Sequence, residues 1–319
     1  MDPAQFFTAC RLVIVAGKGG VGKTTVSAAL ARAAARSGLS SLIIEVEGKS
    51  GLASMYGSEA FSYDEVTLAE ADDDAARGEI RARTLTPDEA LIEYLEDSNM
   101  SRISKRLMSS GALDMVSTAV PGIRDLLVLG KIKQMEQAGL ADLLILDAPA
   151  AGHAITFLQS ASGLADAVRL GPINSQANDV LSLLGDPERC QVILVTLPEE
   201  TPVNELVETA FQLEDRVGIS LGPVVVNGCY PELSGLDTDP VEAAQVAGAS
   251  LRPGEAEALT EAARFRNERM ALQTEQVARL GDALPLPQIV LPYLFDAELG
   301  PPQLDELADW LLAGIDPLS

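Results

Sequence analysis

The chain has 319 residues, 47% hydrophobic and 22% charged, with a formal net charge of −24. That is globular composition, enough for one large α/β domain spanning 1–319. So acidic a surface repels polyanions, which argues against nucleic acid as a partner, and no run approaches the roughly 18 apolar residues that span a bilayer. The acid excess reads as solvated surface, with a docking patch for a basic partner as the alternative.

Residues 12–25, LVIVAGKGGVGKTT, read as a buried strand (Leu12 to Ala16), a glycine-rich turn and a helix beginning near Lys23. Gly17, Gly22, Lys23 and Thr24 carry G-x-x-x-x-G-K-T, the phosphate-binding loop pattern. Glycines let backbone N–H groups turn inward as a nest for anionic oxygens. The following helix aims its positive end at the same place. Lys23 supplies a point charge for the β- and γ-phosphates, and Thr24 offers a hydroxyl to Mg²⁺. The plain alternative, a glycine turn with a surface lysine, does not require the strand before and the amphipathic helix after.

The first helix is predicted from about Thr24 to Arg36, with Val26, Ala29, Leu30 and Ala33 as its apolar stripe and Gly38 as its stop. Leu42 to Glu47, LIIEVE, reads as a buried parallel strand and completes a βαβ unit. Residues 58–78 are acidic and irregular, and are expected to be exposed. Ile80 to Thr84 alternates and suits a short edge strand. Thr86-Pro87-Asp88-Glu89 is a capping box opening a helix that carries Leu91, Ile92 and Leu95. From Ser98 to Gly139 the pattern is helical and amphipathic. Its Met100, Met108, Met115 and Met135 suit either core packing or an adaptable groove.

Leu143 to Leu146 is another buried strand, ending at Asp147. A helical segment follows over 157–187, then a strand from Val192 to Thr196 and a loop and helix over LPEETPVNELVETAFQL. Val224 to Val226 reads as a strand ending at Asn227, residues 254–280 as a long charged helix, Ile289 to Leu291 as a last strand, and Gln303 to Leu312 as a closing helix. The fold class expected is α/β: a mostly parallel sheet covered by helices on both faces, with a small helical subdomain within about 86–140 and 157–187. Cys10, Cys190 and Cys229 are widely spaced with no C-x-x-C, so neither a zinc clip nor a disulfide framework is suggested. The first residues, MDPAQFFTACR, lack a basic region followed by an apolar core; no signal peptide and a cytoplasmic location are expected.

In open parallel sheets, ligands bind beyond the carboxyl ends of the strands. The residues there are the phosphate loop, Glu45 and Glu47, Asp147, Thr196 to Pro198, Asn227 and Pro292. Asp147 suits the second acid near a nucleotide-bound Mg²⁺, usually acting through water. The loop from Asp147 to His153 suits a sensor of the γ-phosphate, and a carboxylate at Glu47 suits the orientation of an attacking water.

GKGGVGKTT, EVEGKSGLASMYG, DAPAAGHAITFL, VTLPEETPVNE, VVNG and LPYLFDAELG follow in order over nearly the whole chain. Together they resemble the arsenite-pump and tail-anchored-protein-targeting ATPase family, a branch of the deviant Walker A phosphate-loop ATPases. PGIRDLLVLGKIK and GPINSQANDVLSLL are similar to its small actinobacterial members. The resemblance implies an ATP hydrolase, with Mg²⁺ as cofactor, whose dimer closes on ATP, opens after hydrolysis and passes that motion to a client protein. It implies that Gly17, Lys18, Gly19, Gly20, Val21, Gly22, Lys23, Thr24 and Thr25 hold phosphates, with Lys18 acting catalytically across the dimer. Thr24 and Asp147 would serve the metal, and Gly152 and His153 would belong to the second switch. Asn227 would read the adenine edge, with Pro292 and Tyr293 packed near the base. The plain alternatives are a turn former at Asn227 and a structural hydrogen-bonding residue at His153.

The chain departs from the family at Glu47-Gly-Lys-Ser, where the family usually has Asp followed by Pro-Ala-His. It lacks the targeting factors' C-x-x-C and the arsenite enzymes' cysteine trio, and the segment after DAPAAGHAITFL is short for a large client-binding subdomain. ATP chemistry therefore transfers; metalloid or tail-anchor cargo does not. The expected partner is a second copy or a paralogue, together with an unidentified client. A second reading is a nucleotide-gated binding module with little hydrolysis, one half of a heterodimer. A partition ATPase needs a basic DNA-binding surface and an electron-transferring reductase needs cluster cysteines, and the chain offers neither.

Overall fold

The computed structural model describes residues 1–46, 51–72, 74–97, 122–149 and 151–318. Helix α1 (Pro3–Thr8) leads into β1 (Leu12–Ala16), and α2 (Lys23–Arg36) crosses to β2 (Ser41–Val46). After α3 (Gly51–Met55) come β3 (Val66–Ala69), β4 (Ile80–Leu85) and α4 (Pro87–Asp97). Then α5 (Ile123–Ala138) precedes β5 (Leu143–Asp147), and α6 (Ala151–Ala167) and α7 (Pro172–Leu184) precede β6 (Cys190–Thr196). The chain closes with α8 (Glu200–Val217), β7 (Leu221–Cys229), α9 (Pro240–Ala247), α10 (Glu255–Ala283), β8 (Gln288–Pro292) and α11 (Pro301–Ile315).

These strands form one sheet in the order β3-β4-β2-β5-β1-β6-β7-β8. Every neighbouring pair is parallel except β3 and β4. Strands after β1 are laid down first on one side of it and then, from β6 onward, on the other, which opens a crevice beyond the carboxyl end of β1.

All five residues of β1, all six of β2 and all five of β5 are buried, because helices cover both faces. Leu12, Ile14, Leu42, Ile44, Leu144 and Leu146 pack with α5, α6, α7 and α8 on one face. Val13, Val15, Ile43 and Ile145 pack with α2 and α11 on the other. The α2 helix suits that sandwich: small alanines at 28, 29, 31, 33, 34 and 35 let it lie close to the sheet, and all six are buried.

Two expectations change. Ile80 to Thr84 is not an edge strand: β4 runs parallel to β2 and antiparallel to β3. The true edge, β3, lies inside the acidic stretch 58–78, where an exposed, bulged four-residue strand leaves no apolar run to read. Its polar neighbours are ordered by charge: the Arg83 guanidinium stacks 4.3 Å from the Tyr63 ring centre, and Arg81 pairs with Glu65. Met135 is core, not groove. The other three methionines, and the helix expected over 98–121, lie outside the described residues. Among the described residues, no helix is long and apolar enough to cross a membrane.

Candidate functional site

The β1–α2 loop abuts its neighbours too closely for side chains at Gly17 and Gly22. A Cβ on Gly17 would lie 2.3 Å from the Val195 carbonyl oxygen of β6. Gly20 and Gly22 take left-handed backbone, φ +86° and +90°, and a Cβ on Gly22 would lie 2.3 Å from Asn227 Nδ2. Gly19 and Gly20 are exposed at the loop's crown, whereas Val21 is buried beneath it. Gly22 is the N-cap of α2 and brings no side chain to the helix start. The result is a concave backbone cradle at a positive helix end.

The two lysines of the loop go opposite ways. Lys23 is buried, and its Nζ donates to the Lys18 carbonyl oxygen at 3.1 Å, folding the charge over the cradle. Lys18 instead points out and pairs with Glu205 Oε1 of α8 at 2.7 Å. Thr24 lies half-buried in the first turn of α2, and its hydroxyl donates to Asp147 Oδ2 at 2.7 Å. Thr25, next to it, is buried. Asp147 ends β5 opposite both Val15 and Glu45, and both acids are fully buried. They share the sheet face that α2 covers, so two carboxylates and a hydroxyl line one corner below the cradle. Such a corner favours a cation. These residues could hold a triphosphate over the cradle and a divalent cation at the Thr24 hydroxyl, with Asp147 reaching it through water.

Across the crevice, Asn227 donates its amide to the Val21 carbonyl oxygen at 2.9 Å. It sits inside β7 at a register shift before Cys229, rather than at the strand's end. Pro292 is buried at the end of β8, and the Tyr293 N–H donates to the Cys229 carbonyl at 2.7 Å. The Tyr293 ring lies beside Gly228, which also faces Leu197 of the β6–α8 loop. The structure thus brings the loop, Asp147, Asn227, Pro292 and Tyr293 to one sheet end. Gly152 and His153 lie exposed in the first turn of α6. Glu47 lies outside the described residues.

Several neighbours of the site carry no local signal. Tyr230, Tyr293 and Phe295 form an aromatic triad with ring centres 4.8 to 5.4 Å apart, and the Arg266 guanidinium sits over Tyr230 and Phe295. Gln273 clamps the end of β7, donating to the Gly228 carbonyl at 3.2 Å and accepting from the Tyr230 N–H at 2.8 Å. Arg266 and Gln273 read as ordinary members of a charged helix, and Glu205 as one acid among many. Burial pushes the Cys10 and Cys229 thiols up to about 11, so they are poor thiolate ligands at neutral pH.

The sequence profile described as anion-transporting ATPase matches residues 10–175. The chain is similar to ATPase BagA of Mycobacterium tuberculosis, at 31% identity over 94% of this chain and 92% of that protein. It is similar to the arsenical pump-driving ATPase of Acidiphilium multivorum, at 26% identity over 73% of this chain and 40% of that protein. It is also similar to ATPase get3 of Schizosaccharomyces pombe, at 26% identity over 56% of this chain and 52% of that protein.

Proposed function

This chain belongs to the anion-transporting ATPase family, and from that membership we propose that it is a Mg²⁺-dependent ATPase, converting ATP and water to ADP and phosphate. The observation that carries the reading is the corner itself: Lys23 folded over the cradle, with the Thr24 hydroxyl 2.7 Å from Asp147. The backbone of Gly17 to Thr25 would hold the phosphate oxygens, and Lys23 would sit against the β- and γ-phosphates. Mg²⁺ held by Thr24, and by Asp147 through water, would neutralise charge building on those oxygens. Glu47 would orient the attacking water. Asn227 would face the base, with Pro292 and Tyr293 beside it.

In this reading the ATPase works as a dimer, of two copies or with a paralogue, in which Lys18 reaches across to the partner's nucleotide. Closing on ATP and opening after hydrolysis would move a client protein in the cytoplasm, with no nucleic acid involved. Residues 1–319 would form one phosphate-loop ATPase domain, with a small helical subdomain within about 86–140 and 157–187. The test is phosphate release by the purified chain with Mg²⁺ and ATP, beside calorimetric binding. Lys23→Ala should abolish release and weaken ATP binding at least tenfold, about 1.4 kcal/mol. Unchanged binding would remove the loop from the site.

The departure at Glu47-Gly-Lys-Ser favours a second reading: a nucleotide-gated binding module that turns over little, paired with a paralogue. A glutamate there is one methylene longer, and a misplacement of about 1 Å can cost about a hundredfold. ATP bound with negligible release, alone and with the paralogue, would select it.

A further inference from the structure

The two lysines of the phosphate loop are only five residues apart, yet they are sorted. Lys23 is folded inward and buried, and its Nζ is tied to the backbone oxygen of Lys18. That bond fixes the Lys18 backbone while its side chain leaves in the other direction. The tight approach of Gly17 to the Val195 carbonyl brings the loop against β6, whose following helix is α8. Glu205, in the second turn of α8, meets Lys18 Nζ at 2.7 Å, and both side chains are about two-fifths exposed, 39% and 41%.

We propose that Glu205 is a positioning residue that withholds Lys18 from its own protomer's phosphates and keeps its ammonium at the surface, within reach of an incoming second protomer. The proposal rests on the nucleotide reading above. With both ammonium groups over the cradle, a lone protomer would hold nucleotide with two cations and have none to offer outward. With Lys18 on Glu205, the lone protomer uses Lys23 alone. A half-exposed ion pair is weak, so a triphosphate oxygen that an incoming second protomer presents to the outward-facing ammonium can take Lys18 from Glu205 without a large barrier. The same weakness limits the effect: freeing Lys18 should tighten nucleotide binding by no more than about fivefold.

The test is a double-mutant cycle on the full chain, with ADP and Mg²⁺–ATP as probes in calorimetry and phosphate release alongside. Glu205→Gln should bind nucleotide about two- to fivefold more tightly, with both KM and kcat lowered, because Lys18 is then spent on its own phosphates. Glu205→Asp should move back toward wild type. In a Lys18→Ala background the same Glu205→Gln change should leave affinity where Lys18→Ala put it. Tightening of equal size in both backgrounds would mean that removing any negative charge near an anion suffices, and would overturn the proposal. So would a Glu205→Gln chain with wild-type affinity and kcat. A wild-type chain that takes up no nucleotide would sink the nucleotide reading first and this proposal with it, whereas failure confined to the Glu205 variants leaves that reading standing.

Discussion

At Gly22 two constraints meet that are separate elsewhere in the loop. Its backbone is left-handed, and the space where a Cβ would go is taken by the Asn227 amide, 2.3 Å away. Gly20 is left-handed too, but nothing lies within 4 Å of its missing Cβ. Gly20→Ala therefore adds backbone strain of about 1 kcal/mol, while Gly22→Ala adds strain and also breaks the Asn227–Val21 bond. We expect Gly22→Ala to lose about tenfold more nucleotide affinity than Gly20→Ala in calorimetry, roughly 1.4 kcal/mol. Equal losses would show that the Asn227 contact contributes nothing. The placement of the glycines, Lys23, Thr24 and Asp147 at one sheet end was legible because it follows from spacing and from a strand's end. The partners of Asn227 and Lys18 were not, because those contacts join residues 206 and 187 positions apart.

Among the elements, the buried strands were the easiest to read. LVIVA, LIIEV and LLILD are apolar runs because both faces are covered, and they appear as β1, β2 and β5. β3 failed for the opposite reason: an exposed edge needs no apolar run. The closing helix was legible from its spacing, and α11 buries Leu304, Leu307, Ala308, Leu311 and Ile315 at the helical period. It packs on α2 and β8, so it supports the phosphate-loop helix from behind. Leu311→Ala should cost about 2–5 kcal/mol in urea unfolding, whereas Trp310→Ala, on the outer side, should cost less than about 0.5 kcal/mol. Comparable losses would mean that α11 is not docked by that stripe. By contrast, α10 has 29 residues and buries only Gln273 and Leu280, so its periodicity could not show which face meets the site.

For the whole molecule, the charge of −24 sets the terms on which two copies approach. Each protomer repels its like, and salt screens that repulsion over a Debye length of about 10 Å at 0.1 M. At saturating Mg²⁺–ATP, sedimentation equilibrium should show association of two copies strengthening between about 20 and about 200 mM salt. Association that weakens with salt would point instead to complementary charged patches that pair between the two copies. The same scale separates what the two kinds of information supplied. The sequence alone determined the α/β class, the strand–glycine loop–helix unit and the acid at the end of β5, because each is written in neighbouring residues or in a short period. Only the tertiary structure decided that β4 lies inside the sheet, that Asn227 is tied to the back of the loop, and that Lys18 turns away from the cradle toward α8. Those outcomes depend on which distant strands lie side by side, and strand order is set by packing the whole sheet between its two layers of helices.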